Sequence, residues 1–196
     1  MSSESARTRT DRAGGVLAGV APEAVRILAA VLFAALTAVA ARVAVPLPGT
    51  VVPFTLQVVA VLLAGFLLGP RDGAASQALY LAAGAAGLPV FAAGGGAAYL
   101  AGPTGGYLLA FPVAAAIAGA SASHGPGAWR LALGGAIAIA VIHTGGAGWL
   151  AILFDSGAAT RSGVLPFLVG DALKLTLAVL VSSRLREPAR RLLGSR

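Results

Sequence analysis

Two charged residues, Asp171 and Lys174, lie within an otherwise apolar stretch near the end of the chain. Because they are three residues apart, a helix would place both side chains on one face. Charged groups are costly inside a bilayer, and those that occur there usually mark a binding or transport site. Lys174 is also the single lysine of the chain, and its ammonium group offers three rotatable donors. We predict a binding site here; the alternative is an internal ion pair that only joins helices.

A second polar group, Thr55 and Gln57, precedes another apolar stretch. The amide of Gln57 both donates and accepts hydrogen bonds, and we predict that Thr55 and Gln57 contribute to the same site as Asp171. A hydrogen bond between two helices is an equally good explanation of an amide at this position. His143, which lies in a third apolar stretch, is interpreted as a hydrogen-bonded packing residue rather than as a ligand.

Two aromatic residues, Phe91 and Tyr107, are candidates for the apolar walls of a pocket. A belt of aromatic side chains at the membrane surface is the more common role of such residues. The uncharged segment 88–104 contains a run of glycines and small residues. It either folds over the outer mouth of the site or lies against the bilayer.

These residues need a scaffold, and the composition predicts one that spans a membrane. Hydrophobic residues make up 58% of the 196 residues, charged residues only 11%, and the mean hydropathy is +0.88. An ordinary soluble domain is about 25% charged. We predict an all-α integral membrane protein with six transmembrane helices, each needing a long, mostly apolar stretch. The predicted spans are 25–43, 52–68, 74–88, 105–120, 131–154 and 164–183.

The distribution of basic residues predicts the orientation of these spans. With six spans, most of the 14 basic residues fall on one side of the membrane, the side of both termini. They are Arg7, Arg9, Arg12, Arg26, Arg71, Arg130, Arg184, Arg186, Arg190, Arg191 and Arg196. Basic residues flanking membrane helices favour the cytoplasm, so we predict that both termini are cytoplasmic. The domains are then a disordered N-terminal tail over 1–22, one membrane domain over 23–185 and a basic cytoplasmic C-terminal tail over 186–196.

No motif for catalysis is present in the sequence. It has no cysteine, no phosphate-binding G-x-x-x-x-G-K-[ST] loop, no H-E-x-x-H zinc motif and no G-x-S-x-G nucleophile elbow. We therefore predict a protein that is not an enzyme, with no catalytic residue, no metal site and no cofactor bound by this chain. The net charge of +7 is assigned to membrane topology rather than to nucleic acid, since no basic stripe with interleaved aromatic residues accompanies it.

Several runs of the sequence, taken in order, resemble the BioY family, the biotin-specific S components of energy-coupling factor transporters. The runs are Val45-Pro46-Leu47-Pro48, Val52-Pro53-Phe54-Thr55-Leu56-Gln57, Leu62-Leu63-Ala64-Gly65 with Leu68-Gly69-Pro70, Gly87-Leu88-Pro89-Val90-Phe91, Gly102-Pro103-Thr104-Gly105-Gly106-Tyr107, and Leu165-Pro166-Phe167-Leu168 with Gly170-Asp171 and Lys174. The likeness covers residues 25–185. It departs from some relatives in segment 92–98, which lacks their amide or arginine.

The resemblance implies an S-component-like bundle of six helices that binds biotin from outside the cell with high affinity. It also implies a transmembrane coupling (T) subunit, a pair of cytosolic ATPase subunits that use ATP, and the lipid bilayer of a prokaryotic plasma membrane. In the family the matching Asp and Lys contact biotin, which assigns that role to Asp171 and Lys174. The small residues Ala30, Ala34 and Ala38 match the face of the first helix that meets the coupling subunit.

The chemistry of biotin suits the predicted site residues. Its valerate carboxylate needs a cation such as Lys174, and its ureido group offers N–H donors and a carbonyl to Asp171 and Gln57. Which residue meets which end of the vitamin is left open. Two alternatives remain: an S component for another small vitamin of the riboflavin or thiamin class, and a stand-alone ion-coupled carrier with Asp171 as its proton site.

Overall fold

The computed structural model describes residues 22–123 and 127–193, and these form a helical bundle with one short hairpin. The elements, in chain order, are α1 Pro22–Arg42, β1 Ala44–Val45, β2 Phe54–Thr55, α2 Gln57–Leu68, α3 Pro70–Ala85, α4 Ala97–Leu100, α5 Gly105–Ser123, α6 Ala128–Leu153, α7 Ser156–Gly163, a single 3-10 turn over Leu165–Phe167, and α8 Leu168–Leu193. The predicted N-terminal tail over 1–22 lies, apart from Pro22, outside the described residues. Helix α8 continues into the predicted C-terminal tail as far as Leu193.

Each of the six predicted spans corresponds to one helix, but the helices differ in their capacity to cross a membrane. Within the described residues, four helices are long and apolar enough to do so by length and composition. These are Glu23–Arg42, Gly105–Ser123, Ala128–Leu153 and Ala159–Leu193, the last of which runs from α7 through the 3-10 turn into α8. Helix α2 has 12 residues and α3 has 16, lengths of about 18 and 24 Å against a hydrocarbon core of about 30 Å.

The second predicted span begins too early in the sequence. The prediction starts it at residue 52, whereas helix α2 begins at Gln57 and the residues before it form strand β2. Pro53 has no backbone N–H and interrupts regular hydrogen bonding. Strand β2 instead pairs antiparallel with β1, with Val45 opposite Phe54. This hairpin places Phe54 and Thr55 at the entrance to the bundle.

Helix α5 is the central helix of the bundle and contacts α2, α3 and α6. Within an 18-residue apolar segment of α5, 56% is buried inside the bundle, against 17–28% for the corresponding segments of the other candidate spans. Small residues allow these close contacts. Because the hydrophobic effect contributes little to the association of helices in lipid, close packing of their backbones is what stabilises such contacts. At the crossing of α5 and α6, a Cβ atom on Gly106 would lie 2.3 Å from the carbonyl oxygen of Gly145.

The alanine stripe of α1 lies at the border between the chain's own helices and the outer surface of the bundle. Ala34 is only 8% exposed, and Ala30 and Ala38 are half-buried. Helix α1 packs against α2 and α3 along this face, where Thr37 also hydrogen-bonds Gln77 at 3.2 Å. Ala34 therefore packs within the bundle, and the contact of Ala30, Ala34 and Ala38 with a partner helix stays a prediction.

Arginine side chains join helix ends that the predicted topology places on the cytoplasmic side. Arg26 of α1 makes two hydrogen bonds, of 2.7 and 3.0 Å, to the carboxylate of Asp72 in α3. Arg186 of α8 donates to the carbonyl oxygen of Ala122 near the end of α5. These contacts bring together ends of α1, α3, α5 and α8 that the sequence assigns to one side.

Different contacts hold the other end of the bundle. The guanidinium of Arg42, at the end of α1, donates to the carbonyl oxygen of Pro89. The indole N–H of Trp149 in α6 donates to the carbonyl oxygen of Gly102 at 3.0 Å. The loop between α3 and α5 is thus bonded to two helices at the end opposite the arginine contacts.

Candidate substrate-binding site

A cavity of about 60 Å³ lies near the end of the bundle that carries the hairpin. Helices α2, α5, α6 and α8 supply most of its walls, and apolar side chains such as Leu108, Phe111 and Ile139 form the larger part of them. The loop between α3 and α5 adds Ala92 and Tyr99. This loop therefore contributes to the wall of the cavity.

Asp171 and Lys174 lie on one face of α8 and both line the cavity, as their spacing predicts. The ammonium nitrogen of Lys174 donates to Oδ1 of Asp171 at 2.9 Å. Both residues are buried, at 4% and 5% exposure. Burial removes water from both charges, and only their pairing and hydrogen bonding offset that cost.

A third ionisable residue, His143 of α6, completes this cluster. Its Nε2 lies 2.7 Å from Oδ2 of Asp171, so that each carboxylate oxygen has its own partner. The sequence predicts a hydrogen-bonded packing residue at this position; His143 is hydrogen-bonded and buried, and it also lines the cavity beside Asp171 and Lys174. Its position in an apolar span was a hint of function, but nothing in the sequence indicated its neighbour 28 residues away.

The ring of Phe54 covers the ammonium group of Lys174. The Nζ atom lies 3.6 Å from the centre of the ring, a favourable cation–π arrangement. Phe54 is also stacked on Phe167, with ring centres 6.5 Å apart. Gly170 makes room for it, since a Cβ atom there would lie 2.2 Å from the ring. The hairpin thereby closes over the charged end of the cavity.

Gln57 and Thr55 line the cavity, but the protein itself uses most of their hydrogen-bonding capacity. The hydroxyl of Thr55 donates to Oε1 of Gln57 at 3.0 Å. The amide nitrogen of Gln57 donates to the hydroxyl of Tyr80 at 2.7 Å, and Tyr80 donates in turn to the carbonyl oxygen of Val90 at 3.2 Å. This series of hydrogen bonds links the end of α2 that follows the hairpin to the loop after α3.

The two aromatic candidates have different positions. Tyr107 lines the cavity with its ring, while its hydroxyl donates to the carbonyl oxygen of Gly163 at 2.7 Å. Phe91 is fully buried behind the wall, between the rings of Tyr80 and Tyr99. Tyr99 stacks on Phe91 with ring centres 5.0 Å apart and lines the cavity, whereas Phe91 does not, so a direct contact of Phe91 with a ligand stays a prediction.

The chemistry of the cavity suits a small, largely apolar ligand with a few polar groups. Apolar walls exclude water, and the cluster of His143, Asp171 and Lys174 provides polar contacts at one end. Within residues 22–123 and 127–193, no three His, Cys, Asp or Glu side chains come close enough to hold a metal ion. The site is thus arranged for recognition through hydrogen bonds and apolar contact.

Comparisons with known proteins agree with this description. A model of the BioY family matches residues 11–191 of the chain. The chain is 45% identical over 156 residues to the probable biotin transporter BioY of Pyrococcus horikoshii, a match that covers 79% of this chain and 92% of that protein. It is 40% identical over 165 residues to the biotin transporter BioY of Thermotoga maritima, covering 83% and 96% of the two chains.

The fold is similar to that of a solved structure. The crystal structure of the S-component for biotin from an ECF-type ABC transporter superimposes with a TM-score of 0.76 and 26% sequence identity. The match covers 83% of this chain and 90% of that chain. The bundle described above is therefore an S-component fold.

Proposed function

The chain belongs to the BioY family, and we propose on that basis that it is the biotin-binding S component of an energy-coupling factor (ECF) transporter. The observation that carries the proposal is the apolar cavity with the buried pair Asp171 and Lys174 at one end. Biotin has the complementary chemistry, with an apolar bicyclic ring system, a polar ureido group and a carboxylate. Apolar walls with a few placed polar groups are typical of small-molecule sites.

The proposal includes binding roles for the predicted site residues. Among the described residues that line the cavity, Lys174 supplies the one lysine or arginine side chain, and we assign to it a direct contact with biotin. The ring of Tyr107 forms apolar wall. Asp171, Thr55 and Gln57 are bonded to neighbouring protein groups, which suits them to hold the site in shape. Phe91 supports the wall from behind.

The most direct test is equilibrium binding with the purified protein. We expect tight binding of biotin and no comparable binding of riboflavin or thiamin. Tight binding of one of those vitamins in place of biotin would show an S component of other specificity. Biotin uptake that follows the proton gradient and needs no ATPase partner would show a stand-alone carrier, and would contradict the ECF assignment.

We also propose that six helices, α1, α2, α3, α5, α6 and α8, cross the plasma membrane, with both termini in the cytoplasm. The contacts of Arg26 with Asp72 and of Arg186 with Ala122 support this topology, because they bring together helix ends that the arginine distribution assigns to the cytoplasm. Helices α2 and α3 are short for this role, and the connecting loops and local bilayer thinning would make up the difference.

Cysteine labelling tests this topology without interference, because the chain has no cysteine of its own. Val51, in the hairpin loop, is 60% exposed, and the side chain of Arg191 is 78% exposed. A membrane-impermeant thiol reagent should label Val51→Cys in intact cells and Arg191→Cys only after the membrane is opened. Labelling of both in intact cells would place the two ends on the same side and contradict the six-span arrangement.

The remaining partners follow from the same assignment. We propose a transmembrane coupling subunit and a pair of cytosolic ATPases, with ATP used by those subunits rather than by this chain. The half-buried Ala30 and Ala38 stay candidates for the contact of α1 with the coupling subunit. The opposite face of α1 is apolar and exposed, with Ile27 at 66% and Val39 at 65%, as expected for a surface that meets lipid or another membrane helix.

A further inference from the structure

One buried polar atom on the cavity wall has no role in the contacts described so far. Nδ1 of His143 is inaccessible to solvent and has no hydrogen-bond partner among the described residues. The residue as a whole is 9% exposed and lines the cavity. A buried polar atom without a partner costs free energy. Because His143 lines the cavity, a ligand bound there is a source of that partner.

The contacts of His143 determine which chemistry Nδ1 offers. Its Nε2 lies 2.7 Å from Oδ2 of Asp171, and the other oxygen of that carboxylate accepts from Lys174. A carboxylate held by an ammonium group is ionised and can only accept, so Nε2 carries the proton. In a neutral imidazole with the proton on Nε2, Nδ1 is an acceptor. A neutral His143 on the cavity wall therefore has one acceptor to offer, and the matching ligand group is a donor.

The other groups that face His143 leave this arrangement undisturbed. From α5, Tyr107 presents the edge of its ring with the ring centres 6.2 Å apart, and its hydroxyl is already bonded to Gly163. Phe167 contacts the imidazole from the turn before α8, with ring centres 6.2 Å apart. Packing against two rings fixes the plane of the imidazole, and the bond to Asp171 fixes its rotation within that plane.

We propose that Nδ1 of His143 accepts a hydrogen bond from a ureido N–H of bound biotin. The proposal rests on the proposed function, since it assigns a contact within the same site. The two ureido N–H groups are the hydrogen-bond donors of biotin when its carboxylate is ionised. With a neutral imidazole, the charges of Asp171 and Lys174 cancel, so this end of the cavity has no surplus positive charge for the carboxylate. The neutral ureido end is the better match, and its carbonyl oxygen then lies within reach of Lys174.

This assignment makes His143 a specificity-determining residue. A pocket that supplies an acceptor for a ligand N–H discriminates strongly against analogues that lack it, because the acceptor is then left buried and unpaired. Asp171, in turn, is a positioning residue, because its two carboxylate oxygens hold the imidazole of His143 and the ammonium group of Lys174 in place. The alternative is that His143 only supports Asp171 and has no contact with the ligand.

Two substitutions distinguish these alternatives, because each retains the hydrogen-bonding group of one imidazole nitrogen and removes that of the other. In His143→Gln the amide nitrogen can still donate to Asp171, but the acceptor at the position of Nδ1 is lost. In His143→Asn the amide oxygen lies near the position of Nδ1, but the side chain is too short to reach Asp171. We expect the glutamine variant to bind biotin about 10- to 100-fold more weakly, and the asparagine variant to retain most of the affinity. The reverse order would show a supporting role and overturn the proposal.

Ligand analogues supply a second measurement that does not depend on comparing variants with each other. In biotinol a hydroxymethyl group replaces the carboxylate. The substitution of His143 by glutamine should lower the affinity for biotinol by the same factor as the affinity for biotin. Biotin methylated on the ureido nitrogens should bind the original protein weakly and lose little more in that variant. A loss that appears with biotin and disappears with biotinol would place the carboxylate at His143 and overturn the proposal.

The outcomes also distinguish this proposal from the proposed function. If the unaltered protein does not bind biotin, the proposed function is wrong, whatever the variants do. If it binds biotin tightly and the glutamine variant binds equally tightly at an unchanged unfolding temperature, only the role of His143 is wrong. His143→Phe keeps the packing against Tyr107 and Phe167 and removes both nitrogens, and we expect it to bind no more tightly than the glutamine variant.

Discussion

Lys174→Ala is expected to abolish high-affinity biotin binding while leaving the bundle folded. The ammonium group is the one lysine or arginine nitrogen on the described cavity wall, and it is 5% exposed. A hydrogen bond to a charged group contributes about 1.5–3 kcal/mol, and without Lys174 the buried carboxylate of Asp171 faces the bound ligand without its ammonium partner. We therefore expect the affinity for biotin to fall by a factor of about 10 to 150 or more, measured as the dissociation constant of the purified protein.

The alanine variant leaves the charge of Asp171 buried beside His143 alone, so its stability needs a separate measurement. A buried carboxylate that loses its partner destabilises a fold by several kcal/mol. The double variant Asp171→Asn/Lys174→Met removes both charges and should recover most of the lost unfolding temperature in detergent. It should not recover binding. Recovery of binding together with stability would show that the pair only joins helices.

Leu173→Ala is the matched control for this pair. Leu173 is the residue before Lys174 on the same helix, and it is 69% exposed and outside the cavity lining. Its truncation changes an apolar side chain of the same helix without changing the lining of the cavity. We expect unchanged biotin affinity, which would tie the effect at Lys174 to the cavity rather than to α8 as a whole.

The parts of the site that could be predicted from the sequence are those governed by local geometry. Hydropathy identifies six apolar stretches, and each overlaps one helix of the bundle. The three-residue spacing of Asp171 and Lys174 places them on one face, since helix periodicity does not depend on the rest of the fold. Proline at position 53 could have shown that the second helix begins later, because proline ends regular hydrogen bonding and strand β2 follows it directly.

The parts that could not be predicted depend on contacts between distant segments. His143 and Asp171 meet because α6 and α8 pack side by side, and no pattern within either helix reports that contact. Phe91 and Tyr99 are both aromatic residues of one loop, and only the path of that loop decides which of them reaches the cavity. Ala34 is part of a stripe that suits any close helix contact, and the sequence does not say which helix approaches it.

Gly65→Ala is expected to destabilise the bundle more than its single added methyl group suggests. A Cβ atom on Gly65 would lie 2.3 Å from the carbonyl oxygen of Ala115 and 2.9 Å from the backbone nitrogen of Gly119. Both atoms belong to the backbone of α5, so relief requires the helices to separate. Overpacking of this kind typically costs about 1–3 kcal/mol. For a chain of this size that corresponds to a fall of several degrees in unfolding temperature, at about 2–4 °C per kcal/mol.

Gly148→Ala is the matched control, since Gly148 is also a helical glycine but a Cβ atom there would meet nothing within 4 Å. Alanine is the better helix former by about 1 kcal/mol, so this variant should unfold at the same temperature as the original protein or a higher one. Equal losses at both positions would show that the close approach of α2 and α5 does not limit stability.

A second-site change sharpens the same test. The Cβ atom of Gly65→Ala would also lie 2.8 Å from the Cβ atom of Ala118, so a side-chain clash alone would be relieved by Ala118→Gly. The nearest atom is the backbone oxygen of Ala115, however, and no substitution removes it. We therefore expect Gly65→Ala/Ala118→Gly to remain destabilised. Because α2 carries Gln57 and α5 carries Tyr107, separation of these helices should also widen the cavity and weaken biotin binding in both variants.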